Sequence, residues 1–441
     1  MERLEGDWFG AIFPNGHRLP LRLAIANDSA TLYSLGQGNS PISSTTLHHR
    51  GRWIRIEFGT LNATIEGDIN NEWIVGEFRQ GNTLPIGFSR SPIDPPSDLP
   101  LNLEHVDALR MRVGAPALAV ASSHVDGRNL SLARGIRMLG HAAPVELNDK
   151  WHIGSIAKSM TAILVARLVD AGATRWDQTI GSVMGDQLGD IRTEYLSISI
   201  RQLLQHRSGL PKDLPARATR RFPAVEPDPR ASRLEFVNLA LNLEPVGAPG
   251  RSFSYSNCGY VIVGAMLERL CGEPWEQLVR QYVFAPLGMG SAGFGAPGGR
   301  GLIDQPVGHE DAGIDEAPLA RPPGTRFADN AAVWGPAGTI HASLGDVLRY
   351  LGAHRDRDAF LSPDSWSVLL APDDDRVVAM GWAKRGSGYW HSGSNALWYC
   401  EAMFDPVRGV ACIAAANDGR IARVQSAVNA ALVAGAGTLA L

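Results

Sequence analysis

The segment "WHIGSIAKSM", Trp151–Met160, sets Ser155 three residues ahead of Lys158 where an apolar-periodic run begins. On a helix, positions i and i+3 share a face, so the amine can reach the hydroxyl. A serine hydroxyl is a weak nucleophile until a base takes its proton, and a deprotonated lysine is such a base. Free N–H groups in a first helical turn point toward developing negative charge, so the N–H of Ser155 could supply half of an oxyanion hole. Lysine occurs only at Lys150, Lys158, Lys212 and Lys384, which makes a serine three positions before one of them infrequent by chance. The plain structural alternative is Ser155 as a helix N-cap and Lys158 as a solvated residue.

Two further groups could complete the chemistry. "FSYSNCGYVIVGAML" places Tyr255 and Asn257 just ahead of an apolar helical run. A phenol near an ammonium could relay protons through a stabilised phenolate, and the asparagine amide can bond both a lysine and a substrate carbonyl. "YWHSGSNALW" puts His391, Ser392 and Gly393 at the end of a predicted strand. Gly393 would let a substrate backbone approach closely, the N–H of Ser394 could be the second oxyanion donor, and His391, titrating near neutrality, could orient an acyl substrate or its carboxylate. Taken singly, these are a ring packed at a helix entrance, an asparagine cap and a strand end.

The elements that must position these residues are also readable. From Gly6 to Arg90, short runs of period two alternate with turn signals, predicting a small all-β, barrel-like unit over 1–91. Its aromatics Trp8, Phe9 and Trp53 are expected in the core. "SRSPIDPPSDLP" then marks a proline-rich linker over 92–100. "LEHVDALRMRVG" predicts a helix ending at Gly114, and "APALAVASSHVDGRNLSLARGI" two strands about an Asp-Gly turn. The helix starting near Ser155 carries Met160, Ile163, Leu164, Ala166 and Leu168 on its core face, with Gly172 at its end. Residues 177–322 read as a helical, loop-rich insertion. "GYWHSGSNALWYCEAMFDPVRGVACIAAAND" predicts three strands, and a helix from about Arg420 closes the chain. Strands near both ends of 101–441 with helices between them predict an α+β fold, an α/β sandwich.

The order of the three groups carries more than any one of them, with Tyr255 lying 100 positions after Ser155 and His391 lying 136 after Tyr255. Over residues 101–441 the chain resembles the penicillin-recognising serine hydrolases, in the branch of class C β-lactamases, D-Ala-D-Ala carboxypeptidases, D-aminopeptidases and family VIII carboxylesterases. "GSIAKSMTAILVARLVDAG", "ISIRQLLQHRSGLP", "VFAPLGM" and "GPAGTIHASLGDVLRYL" look like that branch's stretches in their proper order. The resemblance implies an antiparallel sheet flanked by helices, a helical subdomain, and an acyl-enzyme. It assigns Ser155 as nucleophile, Lys158 as base, Tyr255 as proton relay and Asn257 as polar support. His391, Ser392 and Gly393 stand where β-lactamases of this branch carry Lys-Thr-Gly, and a histidine there looks more like the D-amino-acid peptidases. The expected function is therefore a serine hydrolase leaning to amide or peptide bonds. A promiscuous short-chain carboxylesterase or acyltransferase, and a silent β-lactam- or peptide-binding relative, are the alternatives.

Composition narrows the field further. With 441 residues, 44% hydrophobic, 20% charged and a net charge of −4, the chain has the makeup of a globular enzyme, with no basic stripe for nucleic acid. No run reaches the 18 to 20 apolar residues of a membrane span, and "MERLEGDWFG" lacks the apolar region of a secretory signal, so a cytoplasmic protein is expected. Cys258, Cys271, Cys400 and Cys412 are expected as reduced thiols, although Cys400 and Cys412 could face each other across a hairpin. The chain lacks Gly-x-Ser-x-Gly, and the pairs His48-His49 and His309-Glu310-Asp311 read as solvated loops without a completing ligand, so neither an α/β-hydrolase nor a metal site is expected. No cofactor is expected. The expected partner is a small-molecule or short-peptide substrate, a homodimer is possible, and the N-terminal unit could cap the active-site cleft, mediate dimerisation or only stabilise.

Overall fold

The computed structural model describes residues 4–96, 100–372 and 378–440, without the side chains of residues 15 and 440. Of the linker 92–100, residues 97–99 lie outside the described residues.

The N-terminal strands form one nine-stranded antiparallel sheet from Gly6 to Ser89. Period-two alternation dictates which face closes: Ile54, Ile56 and Phe58 point inward from Trp53–Phe58. Leu32, near one end of the sheet, shares a core with Ile54, near the other, so the sheet curls on itself around Trp8, Leu23, Ile65 and Phe88. Trp8 is fully buried and Phe9 half-buried. Trp53 departs from expectation: it falls on the outward phase of its strand and is 38% exposed.

The second sheet has seven strands, in the order Asn129–Gly135, Ala117–His124, Val410–Ala416, Tyr399–Asp405, Gly388–Ser394, Trp382–Arg385 and Val378–Ala379. Strands from opposite ends of this unit meet at its centre, where Leu118 to His124 pair with Val410 to Ala416. "VACIAAA" has no polar residue because both of its faces are covered. Ala411, Ile413 and Ala415 face the core of the helix Ala157–Asp170, and Cys412 and Ala414 face that of the helices Leu103–Val113 and Ile421–Ala440. The same alternation places Cys400 and Cys412 on opposite faces, and all four cysteines are free thiols.

Local signals set the helix ends. Asn102 caps Leu103–Val113 by accepting from the N–H groups of Glu104 and His105, and Gly114 closes it in the left-handed region. Residues 177–322 hold the helices Arg230–Leu241 and Asn257–Cys271, but also strands the sequence did not reveal. Gly293–Phe294 pairs with Ile340–Ser343, and Gly308–Glu310 with Leu319–Arg321; strands of two or three residues leave no period to read. His309 is likewise not a solvated loop residue. It is buried, with Nδ1 2.7 Å from the carbonyl of Asn417 and Nε2 accepting from the N–H of Leu139 at 3.1 Å. His48 and His49 are exposed on Thr46–Arg50. Among the described residues, no helix is long and apolar enough to cross a membrane.

Candidate active site

The strand Lys150–His152 delivers the chain into a single 3₁₀ turn, Gly154–Ile156, from which the helix Ala157–Asp170 runs into the core. Ser155 is not a cap: the helix carries no side-chain N-cap bond. Lys158 is not solvated either. It is fully buried, with Nζ 3.0 Å from Ser155 Oγ and donating to the carbonyl of Ala337 at 2.7 Å. Burial penalises the ammonium and brings its pKa from the usual 10.5 down to about 7, with Asp213 pulling upward and Lys212 pushing further down. A large share of this lysine is therefore neutral near pH 7, as a general base must be.

Tyr255 and Asn257 reach the site from the start of the helix Asn257–Cys271, which Ser256 caps through Gly259 N–H at 3.2 Å. Burial pushes the Tyr255 pKa above the ordinary value of 10, with the neighbouring Ser155 hydroxyl opposing that rise. The expected phenolate is therefore corrected: Tyr255 carries its proton, and Lys158 Nζ lies over its ring, 5.1 Å from the centroid. Asn257 takes a different partner from the expected lysine. Its amide donates to Asp213 Oδ1 at 2.6 Å.

His391, Ser392, Gly393 and Ser394 lie on the strand Gly388–Ser394. Gly393 meets the Gly154–Ile156 turn so closely that a Cβ would stand 2.0 Å from Ile153 O and 2.9 Å from Ser155 N. A Cβ on Gly154 would likewise stand 2.3 Å from Ser394 N, so the backbones around Ser155 and Ser394 run in contact. In the neighbouring strand the Tyr399 hydroxyl donates to Glu401 Oε1 at 2.9 Å, and Glu401 stands opposite Ser392 in the ladder. His391 does not titrate near neutrality. Burial pushes its pKa down to about 3, with the Lys158 charge acting the same way. Its Nδ1 lies 2.8 Å from the carbonyl of Gly381, which can only accept, so Nδ1 bears the proton and Nε2 is left as a neutral acceptor.

Ser155, Tyr255, Asn257 and the run His391–Ser394 line one cavity of about 1040 Å³. Lys158 sits beneath it, reached through Ser155. Sequence reasoning missed three contributors. His206 packs its ring on Tyr255 at 4.4 Å between centroids and accepts from the N–H of Ser256 at 3.0 Å; "LLQHRSGLP" held it in plain view, but no spacing linked it to Tyr255. Asp213 holds Asn257. Asp329 accepts from the Asn395 amide at 2.8 Å and stands 3.0 Å from His152 Nε2, while His152 Nδ1 accepts from Gly154 N–H at 3.1 Å. That chain of contacts ties the turn bearing Ser155 to the end of the Gly388–Ser394 strand.

A helix-flanked antiparallel sheet with a serine and a buried lysine at the foot of its first long helix defines a class of serine hydrolases. The Beta-lactamase family profile matches residues 104–435, and the chain belongs to that family. It is 28% identical over 345 residues to penicillin-binding protein 4 of Amycolatopsis lactamdurans, covering 72% of this chain and 84% of that protein. It is 31% identical over 255 residues to a D-aminopeptidase of Cereibacter sphaeroides, covering 56% of this chain but only 44% of the relative. The fold is shared with an octameric penicillin-binding protein homologue from Pyrococcus abyssi, at TM-score 0.62 and 19% identity over 75% of this chain and 76% of that one.

Proposed function

We propose that the protein cleaves amide or peptide bonds of small substrates through an acyl-enzyme at Ser155. Neutral Lys158 takes the Ser155 proton as Oγ forms a bond to the substrate carbonyl carbon. The N–H groups of Ser155 and Ser394 receive the oxyanion. As the C–N bond breaks, Tyr255 gives its proton to the leaving nitrogen, and the proton that Lys158 took from Ser155 then passes to the Tyr255 phenolate. Water then attacks the ester, its proton returns to the base, and Oγ is released with its proton restored. The observation that carries this reading is the buried Lys158 amine, 3.0 Å from Ser155 Oγ with its pKa lowered to about 7. His391 favours amide over carboxylate recognition, because a neutral acceptor pairs with an N–H donor and repels an anion. The 31% identity to a D-aminopeptidase supports the same leaning.

Intact-mass spectrometry after brief exposure to a fluorophosphonate is the test, followed by D- and L-aminoacyl p-nitroanilides and p-nitrophenyl esters. The expected result is one adduct on the wild type, none on Ser155→Ala, and anilide turnover. Turnover of esters alone would make the protein an esterase, and a missing adduct would remove the nucleophile.

A further inference from the structure

The catalytic cavity does not end at the seven-stranded sheet. Part of its wall is built by Leu84 and Pro85 of the N-terminal sheet and by Phe13, just past its first strand, together with Trp390, Ile421 and Gln425. The strand Trp382–Arg385 pairs with Gly388–Ser394 only from Gly388 to Trp390. Among the described residues, the edge from His391 to Ser394 thus has no strand on that side, and the cavity runs past it to this wall.

The wall is fixed in place. The strand Asn82–Ser89 lies so near the start of the helix Ile421–Ala440 that a Cβ on Gly87 would be 1.9 Å from the carbonyl oxygen of Ala422. The Gln425 amide donates to the carbonyl of Pro85 at 3.1 Å, and the turn Pro14–Gly16 lies against the Trp390 indole. On the far side, Asn70 donates to Asp315 at 2.8 Å and Arg52 pairs with the same carboxylate. The six wall residues carry no charge and their one amide is already engaged with Pro85, while the Arg385 guanidinium stacks over the Trp390 ring at 4.0 Å without lining the cavity. Such a surface gains from an apolar occupant and has nothing to offer an ionic one.

We infer that the N-terminal sheet supplies an apolar subsite of the hydrolase. It takes the alkyl or aryl group of a short, extended amide whose scissile carbonyl lies at Ser155. The occupant is a substrate group, because the wall is continuous with the cavity that holds Ser155. The inference rests on the amide-hydrolase reading for its choice of substrate, and the test separates the two.

Full-length Ser155→Ala, which cannot turn over, is titrated calorimetrically with N-acetylglycine n-alkylamides from propyl to octyl. Affinity is expected to rise by up to about fourfold for each methylene buried, until the subsite fills. Leu84→Ser, added to Ser155→Ala, should flatten that dependence, and Leu84→Trp should end it at a shorter chain. The octyl-to-propyl ratio is the readout, so a general loss of affinity does not imitate the effect. Equal ratios in all three proteins, or no binding of any member, would overturn the subsite. Chain-length dependence without fluorophosphonate labelling of the wild type would instead sink the hydrolase reading and leave the subsite standing.

Discussion

Among the described residues two cations are buried completely, Lys158 and Arg233, and their surroundings differ. Arg233, on the helix Arg230–Leu241, has no exposed side-chain surface; it pairs with Glu268, with Glu276 at 2.7 Å, and donates to the carbonyl of Val333 at 3.2 Å. Burial opposes its charge, yet Glu276 and Glu268 hold the guanidinium above its ordinary pKa. Lys158 is just as buried, but its close partners are a hydroxyl and a carbonyl oxygen. Its pKa falls where that of Arg233 rises. The fold compensates one charge to hold three segments together and withholds compensation from the other, which leaves an amine largely neutral near pH 7, as the proposed base must be.

Substitution should split the pair cleanly. Lys158→Met is expected to lower kcat/KM by 10³- to 10⁴-fold, about 4 to 5.5 kcal/mol, because Ser155 loses its base. The same change should not destabilise the fold. Folding lowers the lysine pKa from the unfolded value of about 10.4 to about 7, so the native state resists the proton. The wild type thus gains stability as pH rises from 7 to 10, and the advantage of Lys158→Met in Tm should be largest at or below pH 7 and fade toward pH 10. A Tm loss at pH 6 would show that the amine is structurally compensated after all. Arg233→Met is expected to do the reverse, costing about 3 to 5 kcal/mol in urea unfolding by stranding two carboxylates. Its folded fraction, counted by fluorophosphonate titration, should keep kcat/KM within a few-fold of wild type.

The same contrast explains what was legible in the sequence. Ser155 and Lys158 are three residues apart on one helical face, so a local rule exposes them, and the Tyr255 and His391 groups follow from a resemblance in order and composition. The principal strands follow from period two. Arg233 meets Glu268 and Glu276 at 35 and 43 residues' distance, through packing that no local pattern encodes. His206, Asp213 and Asp329 escaped notice for the same reason. So did two protonation states: desolvation, which lowers the Lys158 pKa and keeps His391 neutral, is a property of burial, and residue type alone led to the wrong protonation for Tyr255 and His391.

The pH profile tests the base directly. Acylation of Ser155 should fall tenfold per unit below about pH 7, as Lys158 takes up its proton, and level off above it. A plateau extending to pH 5 would mean that another group accepts the serine proton.

The smallest effects should come from the two surface charges that tune this base. Lys212 depresses the Lys158 pKa and Asp213 raises it, so Lys212→Met should move the midpoint of the profile up and Asp213→Asn should move it down. Both side chains are exposed to water, which limits each shift to about 0.3 units, worth about 0.4 kcal/mol. Screening gives the control: in 1 M salt both shifts should collapse toward zero, while the large displacement of Lys158 from 10.5, which comes from burial, should persist. If salt instead carried the wild-type midpoint back toward 10, the depression would come from neighbouring charge rather than from the dry pocket. Lys158 and Arg233 would then differ only in which charges lie nearby, and not in whether the fold compensates them.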